Sequence, residues 1–288
     1  MVYEVPSFPI FDRLLTFFLY SIKLSSFEPM IVISDFMPIP LLALSKHMHF
    51  QLVHDIRNFT EFKRVDFFSF GKLFQKWQWG KCQKIITVSD FSKNEIIKNC
   101  NIESKKIFVS PNGIDNAYFN LQSNARVDID ILYVATFEKR KNHHFLIKAL
   151  EYYKNQRTIK VCFIGKDLGN RNEIIILAEK LNNNVEIDFI DHINSEQELI
   201  EFYDRSNLFI CPSLYEGFGM PIIEAIARGC TVLCTDMDVF REVGGKSVQY
   251  FSPSDPVELF NMILDNLGNK ERNTVDGEFL EEYMWSHI

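Results

Sequence analysis

Residues 211–235 read CPSLYEGFGMPIIEAIARGCTVLCT, and this stretch decides the fold. The apolar run Leu208 to Cys211 reads as the end of a strand, and Pro212, Ser213, Glu216, Gly217 and Gly219 read as a turn. Pro221 opens a predicted helix, Pro221 to Arg228, because proline lacks an N–H that the first helical turn leaves unpaired anyway. Loop and helix start together present free backbone N–H groups, a ready place for phosphate. Gly217 and Gly219 let the backbone come close to a ligand. Glu216 lies in the loop and Glu224 a turn into the helix, so both can face the same mouth. Acids beside an anion site make electrostatic sense when they accept hydrogen bonds from hydroxyls. A ligand with a diphosphate between two polyols, such as a nucleotide sugar, meets that requirement.

Outward from this stretch, strand and helix patterns alternate through the second half. Ile129–Ala135, Ile159–Ile164, Val185–Phe189, Leu208–Cys211 and Thr231–Thr235 read as strands. Between and after them His143–Tyr153, Glu173–Leu181, Ser195–Tyr203 and Pro256–Leu267 read as helices. Ser195 with Glu198 forms a capping box, and Ser254/Asp255 caps the last helix. Continuous apolar strands between amphipathic helices predict an α/β, doubly wound parallel sheet. Ligands on such sheets bind beyond the carboxyl ends of the strands, where Thr136, Gly165, Ile190–Ile193 and Pro212–Gly219 fall.

The first half is patchier. Met30–Ser34, His49–Val53, Ile85–Val88 and Ile107–Val109 read as strands; Asp12–Leu24, Leu41–His47, Phe67–Gly80 and Ser92–Asn99 read as helices. Ser89 or Asp90 serves as the cap of the last of these. The polar connection Asp115–Val127 marks a boundary, giving domains 1–120 and 121–288.

The bulk properties set limits. With 47% hydrophobic and 24% charged residues the chain is of globular type. Residues 1–125 hold 14 Lys/Arg against 11 Asp/Glu, and residues 126–288 hold 17 against 27. The basic first half suits contact with an anionic membrane surface or a phosphate-bearing acceptor, though chance imbalance between solvated surfaces gives the same counts. A net charge of −7 without a basic stripe disfavours nucleic acid. The six cysteines make no C-x-x-C pair, which points to a reducing compartment and a cytoplasmic protein. No stretch is apolar enough to span a bilayer; Leu14 to Ile22 is too short.

A second chemical segment is Ala135-Thr136-Phe137-Glu138-Lys139-Arg140-Lys141-Asn142. Three consecutive cations at a helix start oppose the macrodipole unless an anion is neutralised there. His54 follows a predicted strand, at a sheet's ligand-binding end. His143, His144 and His192 have no carboxylate at metal-ligand spacing. Asp128-Ile129-Asp130 enters a strand and Asp236-Met237-Asp238 lies beyond the signature, so neither suits a metal-bound diphosphate.

E-G-F-G-M-P-I-I-E at 216–224 resembles the E-x7-E signature of retaining glycosyltransferases of family 4. That resemblance implies the GT-B fold, two Rossmann-like domains with parallel sheets facing a cleft. It implies that Glu216 faces the hydroxyls of the transferred sugar and Glu224 the ribose. The backbone of Gly217, Phe218, Gly219 and Met220 then meets the diphosphate or donor sugar. Arg140 and Lys141 hold the leaving diphosphate, with Thr136 standing where a Gly-Arg is frequent in the family. Gly165 and Ile190–Ile193, with His192, border the base, and His54 is an active-site residue. Transfer proceeds with retention and without metal or other cofactor. The segments H-D, V-S-D-F-S, P-N-G-I-D and F-E-K-R-K-N are most similar to mannosyl- and rhamnosyltransferases of O-antigen or capsule synthesis. GDP-mannose is then the first donor to test, and a glycan or lipid-linked glycan the acceptor.

The chain departs from the family pattern at both ends. No glycine precedes Gly71, so the opening strand and Gly-rich loop are not recognisable, and the N-terminal domain is expected to be incomplete. Residues 279–288 resemble the approach to a final crossover helix that the sequence does not reach. A second reading therefore stands beside the enzyme: a partial or inactive GT-B unit that binds nucleotide sugar or a partner enzyme.

Overall fold

Alternating apolar runs of the first half become parallel strands in the computed structural model, which describes residues 22–35, 46–57, 68–120, 126–268, 273 and 277–284. The chain divides into two compact units, Met1–Ser110 and Pro111–Ile288. Among the described residues of the first unit, β1 (Ile31–Asp35), β2 (Met48–Val53), β3 (Lys84–Thr87) and β4 (Ile107–Val109) pair in that order, all parallel. Helices α1 (Phe68–Lys81) and α2 (Asp90–Cys100) accompany them, and the described residues 22–25 are helical as well. Val53, Ile56, Trp79, Ile85, Ile96, Cys100, Ile102 and Ile107 form the core between helices and sheet. Ser89 is the cap of α2, accepting from Ser92 N at 3.0 Å, and Asn101 closes the helix in the left-handed region. The helices expected over Asp12–Leu24 and Leu41–His47 fall almost wholly outside the described residues.

The second unit carries six described strands: β5 (Ile129–Val134), β6 (Ile159–Ile164), β7 (Val185–Ile190), β8 (Ser206–Cys211), β9 (Thr231–Thr235) and β10 (Val248–Phe251). Helices α3 (His143–Leu150), α4 (Arg171–Ala178), α5 (Glu196–Arg205), α6 (Met220–Ala227), α7 (Asp238–Gly244), α8 (Pro256–Leu267) and α9 (Gly277–Glu281) connect or follow them. The strand order is β10-β9-β8-β5-β6-β7, every pair parallel. All residues of β8 and β9 are buried, as a sheet covered on both faces requires. Ser195 and Asp255 cap α5 and α8 as their sequences predict. Helix α7 and strand β10 were not expected; both are short, and DVFREVG has no cap residue with a hydrogen bond to announce it.

The segment after Ser110 belongs to the second unit. Ile114 N donates to the Tyr283 carbonyl at 2.9 Å, and Ile114 bridges Met284 as a parallel pair. Arg228 donates to the carbonyls of Tyr118 at 3.1 Å and Asn120 at 2.7 Å. Arg228 is itself buried and paired with Asp204 through two hydrogen bonds, at 2.8 and 2.9 Å.

Candidate functional site

The strand order creates a switch point between β5 and β8, where the chain leaves in opposite directions across the sheet. The crevice beyond the carboxyl ends of such a strand pair is where open α/β sheets bind ligands. Residues 135–142 follow β5 and residues 212–219 follow β8, so the two segments singled out from sequence meet there. Tyr133, near the end of β5 and fully buried, ties them together. Its hydroxyl donates to the Lys141 carbonyl at 2.7 Å and lies 3.1 Å from Ser213 Oγ. Leu214 N donates to the Arg140 carbonyl at 2.8 Å, a second link between the loops.

Across this junction Glu216 meets both cations. Arg140 Nη1 donates to Glu216 Oε2 at 3.0 Å, and Lys141 Nζ donates to Oε1 at 2.5 Å. The Arg140 fork also reaches the Tyr215 carbonyl at 3.0 Å and Glu138 Oε1 at 2.7 Å. Thr136 Oγ1 donates to the same Glu138 oxygen at 2.9 Å. The cations themselves sit in a single turn of 3-10 helix, Lys139–Lys141, ahead of α3. Both oxygens of Glu216 are thus engaged by protein, a pairing that sequence spacing did not reveal.

The signature helix α6 begins at Met220, one residue before Pro221, and ends at Ala227. Gly219 precedes it with φ of 106°, where a Cβ would lie 3.0 Å from Phe240 Cε1. A side chain there would be strained both by backbone and by contact. No side chain caps α6, and none caps α3 behind Asn142; Ile222 N and Phe145 N donate to the backbone carbonyls of Gly219 and Asn142, both at 2.9 Å. Phe218 is buried edge-on against Tyr283, with ring centroids 5.9 Å apart. Glu224 accepts from the buried Tyr203 hydroxyl at 2.7 Å. Burial raises the Glu224 pKa to about 7, the Tyr203 bond lowers it and the charge of Glu196 raises it.

Gly165 follows β6, where a Cβ would stand 2.0 Å from the Ala135 carbonyl oxygen. Only glycine allows the ends of β5 and β6 to approach this closely. His192 follows β7 and is exposed. His54 follows β2 in the first unit, half-buried, with Nε2 3.7 Å from Asp35 Oδ1. His143 is buried against Tyr133, Phe137 and Phe163, and neither ring nitrogen has a partner among the described residues. Burial, with a smaller push from Lys141, lowers its pKa to about 3, so it stays neutral. Among the described residues no three His, Cys, Asp or Glu side chains gather as a metal site, and all six cysteines are free and buried. No described helix is long and apolar enough to cross a membrane.

Two Rossmann-like parallel sheets, the second with E-G-F-G-M-P-I-I-E at its switch-point crevice, define a GT-B glycosyltransferase architecture. The family models agree: residues 120–273 match glycosyl transferases group 1, and residues 2–118 match glycosyltransferase family 4. The chain belongs to this family of GT-B glycosyltransferases. It is 29% identical over 206 residues to the Salmonella typhimurium O-antigen chain mannosyltransferase RfbU, covering 70% of this chain and 56% of that one. It is 27% identical over 195 residues to O-antigen chain mannosyltransferase B of Escherichia coli, covering 64% and 51%. The chain therefore spans just over half the length of these relatives. Among solved structures, a glycosyltransferase from Rickettsia africae superposes with a TM-score of 0.73 at 18% identity, over 100% of this chain and 81% of the other. Anabaena HepE, solved in complex with UDP, superposes with a TM-score of 0.73 at 15% identity, over 92% and 77%.

Proposed function

We propose that the chain is a retaining, metal-independent glycosyltransferase that moves a hexose from a nucleotide sugar to a glycan or lipid-linked glycan in O-antigen or capsule-type polysaccharide synthesis. The observation that carries this reading is the arrangement at the switch point. Arg140, Lys141 and Glu216 converge beside the uncapped start of α6, and Glu224 sits a turn further on. Cations and free N–H groups suit a diphosphate, and carboxylates suit the hydroxyls on either side of it. The O-antigen mannosyltransferase relatives make GDP-mannose the first donor to test.

In this mechanism the donor diphosphate takes over Arg140 and Lys141 from Glu216, whose oxygens turn to the sugar hydroxyls. Glu224 receives the ribose hydroxyls. Thr136, Gly165 and His192 border the nucleotide, and the backbone from Gly217 to Met220 meets the diphosphate. The bond between the anomeric carbon and the phosphate oxygen breaks, and its electron pair stays on the diphosphate, stabilised by both cations and the helix start. The acceptor oxygen bonds the anomeric carbon from the same face and passes its proton to the departing phosphate oxygen. His54, in the first unit, is the further active-site residue of this reading. The basic first half supports peripheral contact with an anionic cytoplasmic membrane face, where a lipid-linked acceptor would lie.

The test is a panel of nucleotide sugars incubated with lipid-linked and free glycan acceptors, with and without chelator. The expected result is release of GDP from GDP-mannose, unchanged by chelator, and an α-linked product by NMR. Inverted configuration at the anomeric carbon would overturn the retaining mechanism. Nucleotide-sugar binding without turnover on any acceptor would favour the second reading, a binding unit without transfer activity.

A further inference from the structure

Glu224 is joined to the protein through one of its two oxygens. Tyr203 Oη donates to Oε2 at 2.7 Å, and Oε1 has no partner among the described residues. Tyr203 is fully buried on α5, and its ring stands edge-on to Tyr118 at 6.2 Å. The neighbouring pair repeats the α5-to-α6 link one helical turn on, where Arg228 holds Asp204. The two helices are thus pinned together by Tyr203–Glu224 and Asp204–Arg228. The phenol donates to a carboxylate and stabilises its charged form; burial alone would favour the neutral acid.

We propose that Tyr203 is a positioning residue of the donor site: it fixes the Glu224 carboxylate by Oε2 and leaves Oε1 as the acceptor for the diol of a nucleoside diphosphate. The inference rests on the donor-site reading above. Burial holds the Glu224 pKa up at about 7, so its charge changes between about pH 6 and 8. The other ionisable groups facing it are few. Glu196, at the start of α5, opposes its ionisation; Tyr118 lies on the 3-10 turn Asn116–Phe119; Arg228, the C-cap residue that ends α6, is already neutralised by Asp204. On the elements packed against α6, Cys211 and Cys234 are buried in β8 and β9, and Asp238, Arg241 and Glu242 of α7 are exposed. None of these provides a cation that could replace the Tyr203 bond.

Two measurements test this on the full chain. The first is a carbon-13 NMR titration of the Glu224 carboxyl in the free protein, wild type beside Tyr203→Phe. The phenylalanine keeps the ring and leaves no orphaned hydroxyl, and circular dichroism melts check that it folds. The Glu224 midpoint is expected to rise by about one pH unit, a tenfold change in its protonation ratio. The second is calorimetric binding of GDP and UDP between pH 6 and 9. Wild-type affinity should increase as Glu224 ionises, Tyr203→Phe should bind about fivefold more weakly at pH 7 and recover toward pH 9, and Glu224→Gln should show no such pH dependence. An unchanged Glu224 midpoint and wild-type binding profile in Tyr203→Phe would overturn the inference and leave the donor site standing. Failure of the wild type to bind either nucleotide would overturn the donor-site reading and the inference together.

Discussion

Arg140 Nη1 stands 3.0 Å from Glu216 Oε2, Lys141 holds the other oxygen, and with Glu138 also on Arg140 two carboxylates balance the two cations. The pairing makes the site electrically quiet before a ligand arrives. On the proposed function, a diphosphate displaces Glu216 from both cations, and the displaced carboxylate becomes available to the sugar. Glu216→Ala is therefore expected to bind GDP as tightly as the wild type or tighter, while transfer falls by about 100-fold or more. Arg140→Ala, which removes a charge-assisted donor of about 1.5–3 kcal/mol, should weaken GDP binding by at least about tenfold. Calorimetry and initial rates separate the two effects; loss of GDP binding in Glu216→Ala would contradict the exchange.

Glu224 makes stability depend on pH. Its folded pKa, about 7, lies above the ordinary carboxylate value of 4.5, so the folded chain holds a proton that the unfolded chain has lost. The cost is absent below about pH 4.5, grows as pH rises, and is complete above about 7. It is on the order of 2 kcal/mol for a carboxylate that keeps part of its surface in water. Glu224→Gln, which still accepts from Tyr203, should melt higher than the wild type at pH 8 and equal to it at pH 4.5. The difference between the two chains is the observable, because His143 contributes the opposite slope to both. Its folded pKa, about 3, is below the ordinary 6.5, so its share of stability is lost as pH falls.

Tyr133→Phe should loosen the two loops without emptying the core, since only the hydroxyl that serves Lys141 and Ser213 is removed. A stability loss of about 1–2 kcal/mol and a rise in donor KM larger than the fall in kcat are expected. Denaturant midpoints and steady-state kinetics check both; an unchanged KM would show that the loops hold their register by other bonds.

Arg228 holds Asp204 and the carbonyls of Tyr118 and Asn120 inside the second unit. Arg228→Ala would leave a buried carboxylate and two carbonyls without their donor, a loss of about 3–5 kcal/mol. Asp204→Asn combined with Arg228→Met removes both charges and should cost less than Arg228→Ala alone. Urea midpoints of the three chains decide it, and a double variant less stable than Arg228→Ala would refute the argument.

Much of this was legible in the chain because it is local. The alternation of apolar runs predicted the strands within a residue or two, Ser195 and Asp255 announced their helices, and Pro221 after two glycines marked the helix that carries Glu224. The partners of these residues were not legible. Tyr133 and Tyr203 lie inside ordinary strand and helix patterns, where a tyrosine is read as core, and their hydroxyl bonds appear only after packing. Helix α7 and β10 are too short to show a period.

By itself the sequence determined the parts of the candidate site: a cation-rich turn after one strand, and a loop and helix with two acids after another, both within the stretch 120–273 that matches glycosyl transferases group 1. Which strand lies beside which was decided only by the tertiary structure. Arg140 and Glu216 are 76 residues apart, and they meet because β8 pairs with β5 rather than with β7. Strand pairing is a long-range hydrogen-bonded choice, and no local pattern in either segment encodes its neighbour. The same packing engaged both oxygens of Glu216 and one of Glu224, so two acids that look alike in sequence became a counterion and an open acceptor.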